Sequence, residues 1–462
     1  MTMWIPQIGT IEGPRYLAVV SAIVKAIDSG QLPPGARLPP QRELADRLRL
    51  TVGTISRAYS IVKERKLVSG EVGRGTFVAG PRTAASGIDA HPRSSPEIRR
   101  VDLACFRAPM VDLAEPIAAV LLDLAARVRL LHLDEYPPQA GYPTHRTAGA
   151  TWLASAGLKV DPESVIVTGG AQPALAATMA VLAPAGTMVL TESLTYSGMK
   201  VLASACNIPM RGVAMDAQGM VPEALEERCA MPGPKVLYVQ PTLHNPTTRT
   251  MDDDRRRRIV AIARKHDLYI IEDDAACSGV TPRLAPIATL APERTVYITS
   301  LSKSVSPALR VGFMTAPQPL TDALLAALHG LAMMPSSLMA HAAAALISNG
   351  DAFRVAAGNL KECARRHDIA TRRLAGFAVE SHPSAFYLLL GLPPRWRVDE
   401  FCGKAKDVTV VPVDSYAVAP ESAQPAVRVS LNAALDDEMF ERGLARLRTV
   451  LASRPYLPVP VV

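Results

Sequence analysis

The stretch that decides the fold is Thr299-Ser300-Leu301-Ser302-Lys303-Ser304-Val305-Ser306-Pro307-Ala308-Leu309-Arg310-Val311-Gly312. It follows the apolar run Val296-Tyr297-Ile298, whose β-branched and aromatic residues predict a buried strand. A lysine and, seven residues later, an arginine therefore stand just beyond the carboxyl end of a strand. In open α/β sheets this is the edge at which ligands bind.

Further strands of the same kind precede this stretch and alternate with Ala-rich helical segments. This alternation predicts an α/β layer with a mostly parallel sheet. The candidate strands are 165–167, 188–190, 236–239, 268–271 and 296–298.

Polar residues follow three of the other strands. Gly169-Gly170 stands between a strand and a helix, where exposed backbone N–H groups can bind an anion. Asn245 follows the strand at 236–239, and Asp273 follows the strand at 268–271. An anion loop, an amide, a carboxylate and the Lys303–Arg310 pair are thus expected along one edge of the sheet, although each residue alone would be unremarkable on a surface.

Composition and charge describe the rest of the chain. The 462 residues are 48% hydrophobic and 20% charged, which excludes a wholly disordered protein. The six cysteines form no C-x-x-C pair, and no apolar run reaches the roughly 18 residues of a membrane span. We therefore expect neither a zinc site nor a disulfide framework, and we expect a cytoplasmic protein. The whole net charge of +7 lies in residues 1–100, which hold 15 Lys/Arg and 8 Asp/Glu. Such a basic excess favours nucleic-acid binding.

The first 80 residues read as a small helical unit with a hairpin. Leu17, Val20, Val24 and Ile27 predict one apolar face of a first helix. Two further helices are predicted from about Gln41 and around 55–62, and 67–78 reads as two strands around a Gly-rich turn. Pro-rich and polar residues 81–100 predict a flexible linker. The predicted domains are therefore 10–80 and 101–462.

Three motifs in the first unit resemble the winged helix-turn-helix of the GntR regulators: LPPQRELA at 38–45, TISRAY at 54–59 and GRGTFV at 73–78. The resemblance implies that the third helix enters the major groove and that the hairpin approaches the minor groove. Arg side chains can bind phosphate or guanine with two donors, and short hydroxyls can reach phosphates. The residues that would contact DNA are Arg42, Thr51, Thr54, Arg57, Arg74 and Gly75. A position that is often basic in the family is Val52 here.

The order of motifs after residue 101 resembles the fold-type I pyridoxal-phosphate aminotransferases. The resemblance implies that Lys303 forms a Schiff base with the aldehyde of pyridoxal 5'-phosphate. Ser300 and Arg310 match the phosphate ligands, and Ala171 and Gln172 match the phosphate loop.

The same resemblance assigns the remaining site residues. Asp273 would pair with the ring nitrogen, Asn245 would hydrogen-bond the ring's 3-oxygen, and Tyr196 would stack on the ring face. Arg428 would bind the carboxylate of an effector or substrate, and Tyr136 would reach the phosphate of a partner subunit. The family usually has a tyrosine shortly after the aspartate, but Asp274-Ala275-Ala276-Cys277 follows Asp273 here.

A GntR-type module joined to an aminotransferase-like domain is the MocR arrangement. It implies a homodimeric transcriptional regulator that binds operator DNA and senses pyridoxal phosphate, an amino acid or an amine at Lys303. The missing tyrosine suits a sensor with little turnover. Two alternatives stay open: an active aminotransferase that carries a DNA-binding module, and a DNA-binding protein with a cofactor-free scaffold.

Overall fold

The computed structural model describes residues 4–6, 15–28, 31–33, 35–64, 67–71, 75–78, 100–106, 110–184, 186–231, 233–276, 284–419 and 423–455. The chain divides into two compact units, 1–86 and 87–462. Apart from Arg100, the predicted linker lies outside the described residues.

The small unit is three helices and a hairpin. Its elements are α1 (Arg15–Asp28), α2 (Gln41–Leu48), α3 (Val52–Glu64), β1 (Val68–Glu71) and β2 (Gly75–Val78). The two strands pair antiparallel, with Val68 opposite Val78. The predicted winged helix-turn-helix is confirmed.

The predicted apolar face of α1 was wrong in one position. Leu17 is 43% exposed, whereas Val19, Val20 and Ile23 are buried. The buried face is therefore rotated from the predicted one, because α1 packs against α3, a contact that periodicity alone does not reveal.

The large unit begins with an α/β layer. Its elements are β3 (Val101–Asp102), α4 (Ala114–Ala126), α5 (Pro143–Ser155), β4 (Ile166–Thr168), α6 (Ala171–Leu182), β5 (Met188–Glu192), α7 (Ser197–Ala205), β6 (Met210–Val213), β7 (Met215–Asp216), β8 (Gly219–Met220), α8 (Pro222–Cys229), β9 (Pro234–Val239), α9 (Asp253–Lys265), β10 (Tyr269–Asp273), α10 (Ile287–Leu290), β11 (Thr295–Ser300) and β12 (Gly312–Thr315). All the strands predicted from the sequence are confirmed.

The last part of the chain adds helices and a second sheet. Its elements are α11 (Thr321–Ala332), α12 (Ser337–Ser348), α13 (Asp351–Arg373), β13 (Val379–Ser381), β14 (Tyr387–Gly391), α14 (Val398–Lys404), β15 (Val408–Thr409), β16 (Val411–Pro412), β17 (Ala426–Ser430) and α15 (Asp437–Ala452). The second sheet has the order β13-β14-β17-β16.

The main sheet positions the site. Its order is β4-β12-β11-β10-β9-β5-β6, and only β12 runs antiparallel to its neighbours. Apolar clusters cover both faces, which explains the nearly continuous apolar runs of the central strands. The carboxyl ends of β4, β9, β10 and β11 therefore meet at one edge. Among the described helices, none combines the length and apolar character needed to cross a membrane.

Candidate functional site

One cavity at this edge brings together residues that the sequence keeps far apart. Four of the predicted site residues line it: Tyr196, Asn245, Lys303 and Arg428. They come from the loop after β5, the loop after β9, the loop after β11 and strand β17. The other described lining residues are Phe106, Ser197, Gly198, Ala276, Tyr387 and Tyr416.

The candidate anion site lies where β4 and β11 end. Gly312 at the start of β12 pairs with both Thr168 and Ser300, so Arg310 stands between the two loops. Its Nη2 atom donates to Gly169 O at 3.3 Å. Helix α6 begins at Ala171 with N–H groups that lack acceptors within the helix. The Arg310 guanidinium and the first N–H groups of α6 therefore both lie at the Gly169–Gly170 loop.

Gly170 permits this approach. Its φ of +106° is rarely adopted by residues that carry a side chain. A Cβ atom at this position would stand 3.2 Å from Arg310 Nη2. A larger residue would strain the loop and crowd the guanidinium that the anion needs.

The two serines before Lys303 have different contacts, and only Ser300 was predicted as an anion ligand. Ser300 Oγ donates to Val311 O at 3.4 Å and accepts the Ser302 N–H at 3.0 Å. Ser302 Oγ, which the sequence analysis did not select, lies 3.5 Å from Arg310 Nη1. Because of its contact with Arg310, Ser302 joins Ser300 among the candidate anion ligands.

Asp273 ends β10 and is buried with two side-chain donors. The Tyr238 hydroxyl donates to Oδ2 at 2.5 Å, and Gln240 Nε2 donates to the same atom at 3.2 Å. Burial raises the pKa of Asp273, while the donated hydrogen bonds act in the opposite direction. A protonated ring nitrogen beside this carboxylate would offset the cost of burying its charge.

Arg428 is held at the opposite side of the cavity. Only 5% of it is exposed, and its Nη2 donates to Ala104 O at 2.7 Å. Nη1 donates to Asn245 Oδ1 at 3.4 Å. The rings of Tyr387 and Tyr416 each lie 5.5 Å from the guanidinium carbon. These contacts fix the orientation of the guanidinium before any ligand arrives.

Tyr196 lines the cavity, and Gln172 supports the helix that follows Tyr196. Tyr196 precedes α7, and a side chain at Gly198 would overlap the Tyr196 ring, so a glycine is needed there. Gln172 Nε2 donates to Gly198 O at 3.1 Å and ties α6 to α7. The ring of Tyr196 therefore has a defined place against the cavity.

Lys303 has an aromatic neighbour that sequence reasoning missed. Its Nζ atom lies 4.1 Å from the centroid of the Phe106 ring, which contacts Phe386 edge to face at 4.9 Å. Tyr387 and Tyr416 were missed as well. No motif marks these aromatics, because they reach the cavity from segments distant in sequence. Tyr136 does not line this cavity and is 76% exposed.

The basic run after Asp252 contains one buried arginine. Asp252 caps α9 by accepting the Arg255 N–H at 2.8 Å, as expected of an acid at a helix start. Arg256, however, is 1% exposed and not a solvated charge. Its Nη2 donates to Thr242 Oγ1 at 2.9 Å and its Nη1 to Ala285 O at 2.8 Å. It supports the loop that carries Asn245.

The predicted DNA-contacting residues lie on the small unit. Arg42 is exposed on α2. Thr51 Oγ1 lies 2.9 Å from Thr54 Oγ1 and accepts the Thr54 N–H at 3.2 Å, so Thr51 also caps α3. Arg57 is exposed on α3, and its guanidinium carbon lies 4.5 Å from the centre of the Tyr16 ring.

The hairpin carries two of the predicted DNA-contacting residues, Arg74 and Gly75. Gly75 opens β2 opposite Glu71. Arg74 lies outside the described residues. Val52 is 46% exposed at the start of α3, the helix that is predicted to enter the major groove. An uncharged side chain therefore occupies the first turn of this helix.

Comparison with known proteins agrees with both units. Residues 15–78 match the family described as bacterial regulatory proteins, gntR family, and residues 127–447 match aminotransferase class I and II. The uncharacterized HTH-type transcriptional regulator YdeF of Bacillus subtilis is 30% identical over 97% of this chain and 96% of its own. The probable rhizopine catabolism regulatory protein MocR of Rhizobium meliloti is 26% identical over 73% of this chain and 72% of its own.

The chain belongs to the MocR family of transcriptional regulators. Among solved structures, LysN, the α-aminoadipate aminotransferase of Thermus thermophilus, is 25% identical, with a TM-score of 0.69 over 80% of this chain and 96% of that one. A MocR protein thus joins a GntR winged helix to a fold-type I aminotransferase domain, and pyridoxal 5'-phosphate is the cofactor that this domain implies.

The residues present fit this cofactor. The Gly170 loop, the start of α6 and Arg310 together form a cradle for a phosphate, and a Cβ at Gly170 would crowd it. Lys303 follows β11, and Asp273, at the end of the adjacent strand β10, is buried with donors that hold its carboxylate in place. The donor set matches a phosphate, an aldehyde and a basic ring nitrogen.

Proposed function

We propose that this MocR protein binds operator DNA through its winged helix and senses an amino acid or amine through pyridoxal phosphate held at Lys303. The observation that carries the proposal is the convergence of Lys303, Asn245 and Arg428 on one cavity beside an anion cradle. Because the winged helix is in the same chain, ligand binding at that cavity can change DNA binding.

Each residue has a defined task in this proposal. Arg310 and the N-terminus of α6 bind the phosphate, and Lys303 Nζ holds the aldehyde carbon. Asp273 keeps the ring nitrogen protonated, and Asn245 donates to the ring oxygen. The cofactor, when bound, supplies an aldehyde that reacts reversibly with primary amines. Arg428 binds the carboxylate of the incoming ligand.

The regulatory output depends on two states of the protein. A ligand changes DNA affinity only as far as it binds one state more tightly than the other. We propose that the protein acts in the cytoplasm as a homodimer, in which the exposed Tyr136 reaches the partner's cofactor phosphate. Two copies would present two winged helices to two half-sites.

DNA binding with and without ligands tests the proposal. We expect the protein with pyridoxal phosphate to bind the DNA upstream of its own gene with an affinity that amino acids shift by about five- to 150-fold. The Lys303→Ala variant should keep DNA binding and lose this shift. Fluorescence anisotropy of labelled DNA measures the DNA affinity and its shift by amino acids. The same shift in the variant as in wild type would show that sensing does not use Lys303.

The DNA-contacting arginines make a second prediction. Replacing both Arg42 and Arg57 by alanine should weaken DNA binding at least about tenfold and flatten its salt dependence, because fewer phosphates are neutralised. Arg47→Ala, an exposed arginine on the same α2 helix, is the matched control. Unchanged affinity in the double variant would exclude this face of the small unit as the DNA surface.

An active aminotransferase is the second candidate, because Asp273, Asn245 and Arg428 are all held in place by hydrogen bonds. It predicts that an amino acid is released as its keto acid after a single turnover with the bound cofactor. The tyrosine that the family usually has shortly after the aspartate is absent from Asp274-Ala275-Ala276-Cys277, which removes one donor and favours the sensor. If no keto acid is detected with any member of a broad panel of amines, the aminotransferase is excluded and the sensor is the remaining candidate.

A further inference from the structure

The first turn of α3 presents an apolar side chain to solvent. Val52 opens the helix and is 46% exposed, whereas Ile55 in the same turn is fully buried. The apolar cluster of the small unit, as far as the structure describes it, includes Ile55 and Val62 of this helix but not Val52. Packing within the small unit therefore does not account for an apolar residue at this position, and burial of its methyl groups against a partner would be favourable.

The residues beside Val52 leave room for a close approach. Gly53 has no side chain, and a Cβ placed there would stand 3.9 Å from Thr51 Oγ1, an ordinary contact distance. That hydroxyl is engaged locally, since it accepts the Thr54 N–H at 3.2 Å and lies 2.9 Å from Thr54 Oγ1. The Val52 isopropyl group is therefore not screened by the residue that follows it.

Charge identifies the partner of this face as DNA. Residues 1–100 carry the whole net charge of +7, and Arg57 is exposed on the same helix as Val52. An excess of positive charge favours a polyanion such as DNA. The N-terminal residues of a helix in the major groove are those that meet base edges, and Val52 is the first residue of α3. We therefore expect Val52 to contact a base.

Thymine is the base that presents a methyl group in the major groove. The polar base edges there offer hydrogen-bond donors and acceptors, which a valine side chain cannot pair. We propose that Val52 contacts the methyl group of a thymine in each operator half-site, and that this contact makes the protein specific for a T·A pair at that position. This inference rests on the proposed function, because it requires that α3 enters the major groove of operator DNA.

Removal of the methyl group from the DNA tests the contact. The DNA upstream of the protein's own gene is trimmed to the segment that the full-length protein shields from nuclease. Each thymine of this segment is then replaced singly by deoxyuridine, which lacks only that methyl group, and binding is measured by fluorescence anisotropy. We expect one thymine in each half-site at which the replacement weakens wild-type binding about fourfold, the effect of uncovering one buried methyl group. At these positions Val52→Ala should bind the two DNAs with affinities that differ by less than about 1.5-fold.

Two controls separate a contact with a base from a general loss of structure or charge. Leu17→Ala shortens another exposed aliphatic side chain of the small unit and should keep the fourfold effect of the thymine replacement. Val52→Ala should keep the salt dependence of wild-type binding, because it removes no contact with a phosphate.

A change of base preference is the second test. Arginine can donate two hydrogen bonds to guanine in the major groove. For each protein, the Kd for DNA with a G·C pair at the identified position is divided by the Kd for DNA with T·A. In Val52→Arg this ratio should fall at least about fivefold below the wild-type ratio. Ser60→Arg, at an exposed position later in α3, adds the same charge and should keep the wild-type ratio. Equal ratios in the two arginine variants would overturn the placement of Val52 against a base.

The outcomes separate this inference from the proposed function. Thymine replacements that leave wild-type binding unchanged, or that weaken wild type and Val52→Ala equally, overturn the contact between Val52 and a thymine methyl group. The proposed function stands in that case if replacement of Arg42 and Arg57 by alanine still weakens DNA binding. A wild-type protein that binds no DNA upstream of its gene overturns the proposed function itself. The comparison of wild type with Val52→Ala decides the proposal even if Val52→Arg does not fold.

Discussion

The Lys303→Ala variant should lack the visible absorbance band that we expect from the wild-type protein with pyridoxal phosphate. Nζ is the nucleophile that can hold the aldehyde carbon covalently, and alanine has none. Arg310 and the N–H groups at the start of α6 are unchanged in the variant, so reversible binding of the phosphate remains. After gel filtration we expect at least about tenfold less cofactor in the variant than in wild type.

The control for this experiment is Lys265→Ala. Lys265 lies at the end of α9, and its Nζ donates to Glu226 Oε1 at 2.6 Å on the protein surface. This variant should show the wild-type band, which separates the loss of one site from the loss of one lysine. Identical spectra for wild type and Lys303→Ala would mean that Lys303 makes no covalent bond and would favour the scaffold alternative.

The Arg256→Met variant should lose about 3 to 5 kcal/mol of unfolding free energy in the large unit, because it breaks a buried charged network. The guanidinium donates to Met251 O, Ala285 O, Pro241 O and Thr242 Oγ1. Methionine fills similar space but donates to none of these acceptors, which stay buried. Urea unfolding followed by the fluorescence of Trp152 and Trp396, both buried in the large unit, measures the change.

Arg257→Met is the neighbouring control. Arg257 is exposed on the same helix and pairs with Asp253 at 2.8 Å, one turn away. Exposed pairs of this kind contribute roughly 0 to 1 kcal/mol, so this variant should unfold close to wild type. If the two variants unfold at the same urea concentration, Arg256 does not stabilise the loop that carries Asn245.

The sequence predicted the fold well where local pattern and packing agree. The predicted strands of the main sheet are confirmed because their apolar runs are buried on both faces, a state that composition reveals directly. The winged helix is confirmed for a similar reason, since Ile55, Ala58, Tyr59 and Val62 follow a clear helical period and all are buried. The apolar face of α1 was less well predicted, because its orientation depends on its contact with α3.

The candidate site was predictable in part. Lys303, Arg310, Asp273 and Asn245 follow strand ends, and strand ends meet at one edge of a parallel sheet. The roles given to these residues stay predictions until the experiments above are done. The burial of Arg256 was not predictable, because nothing in a run of four arginines shows which one turns inward.

By itself, the sequence determined the two-unit organisation, the order of the main strands along the chain and the chemistry available at their ends. Only the tertiary structure decided that Phe106, Tyr387 and Tyr416 surround Lys303 and Arg428, and that Tyr238 and Gln240 hold Asp273. Periodicity and motifs are local properties of the chain. Contacts between residues up to several hundred positions apart depend on how sheets and helices pack, and they set the charge and shape of the cavity.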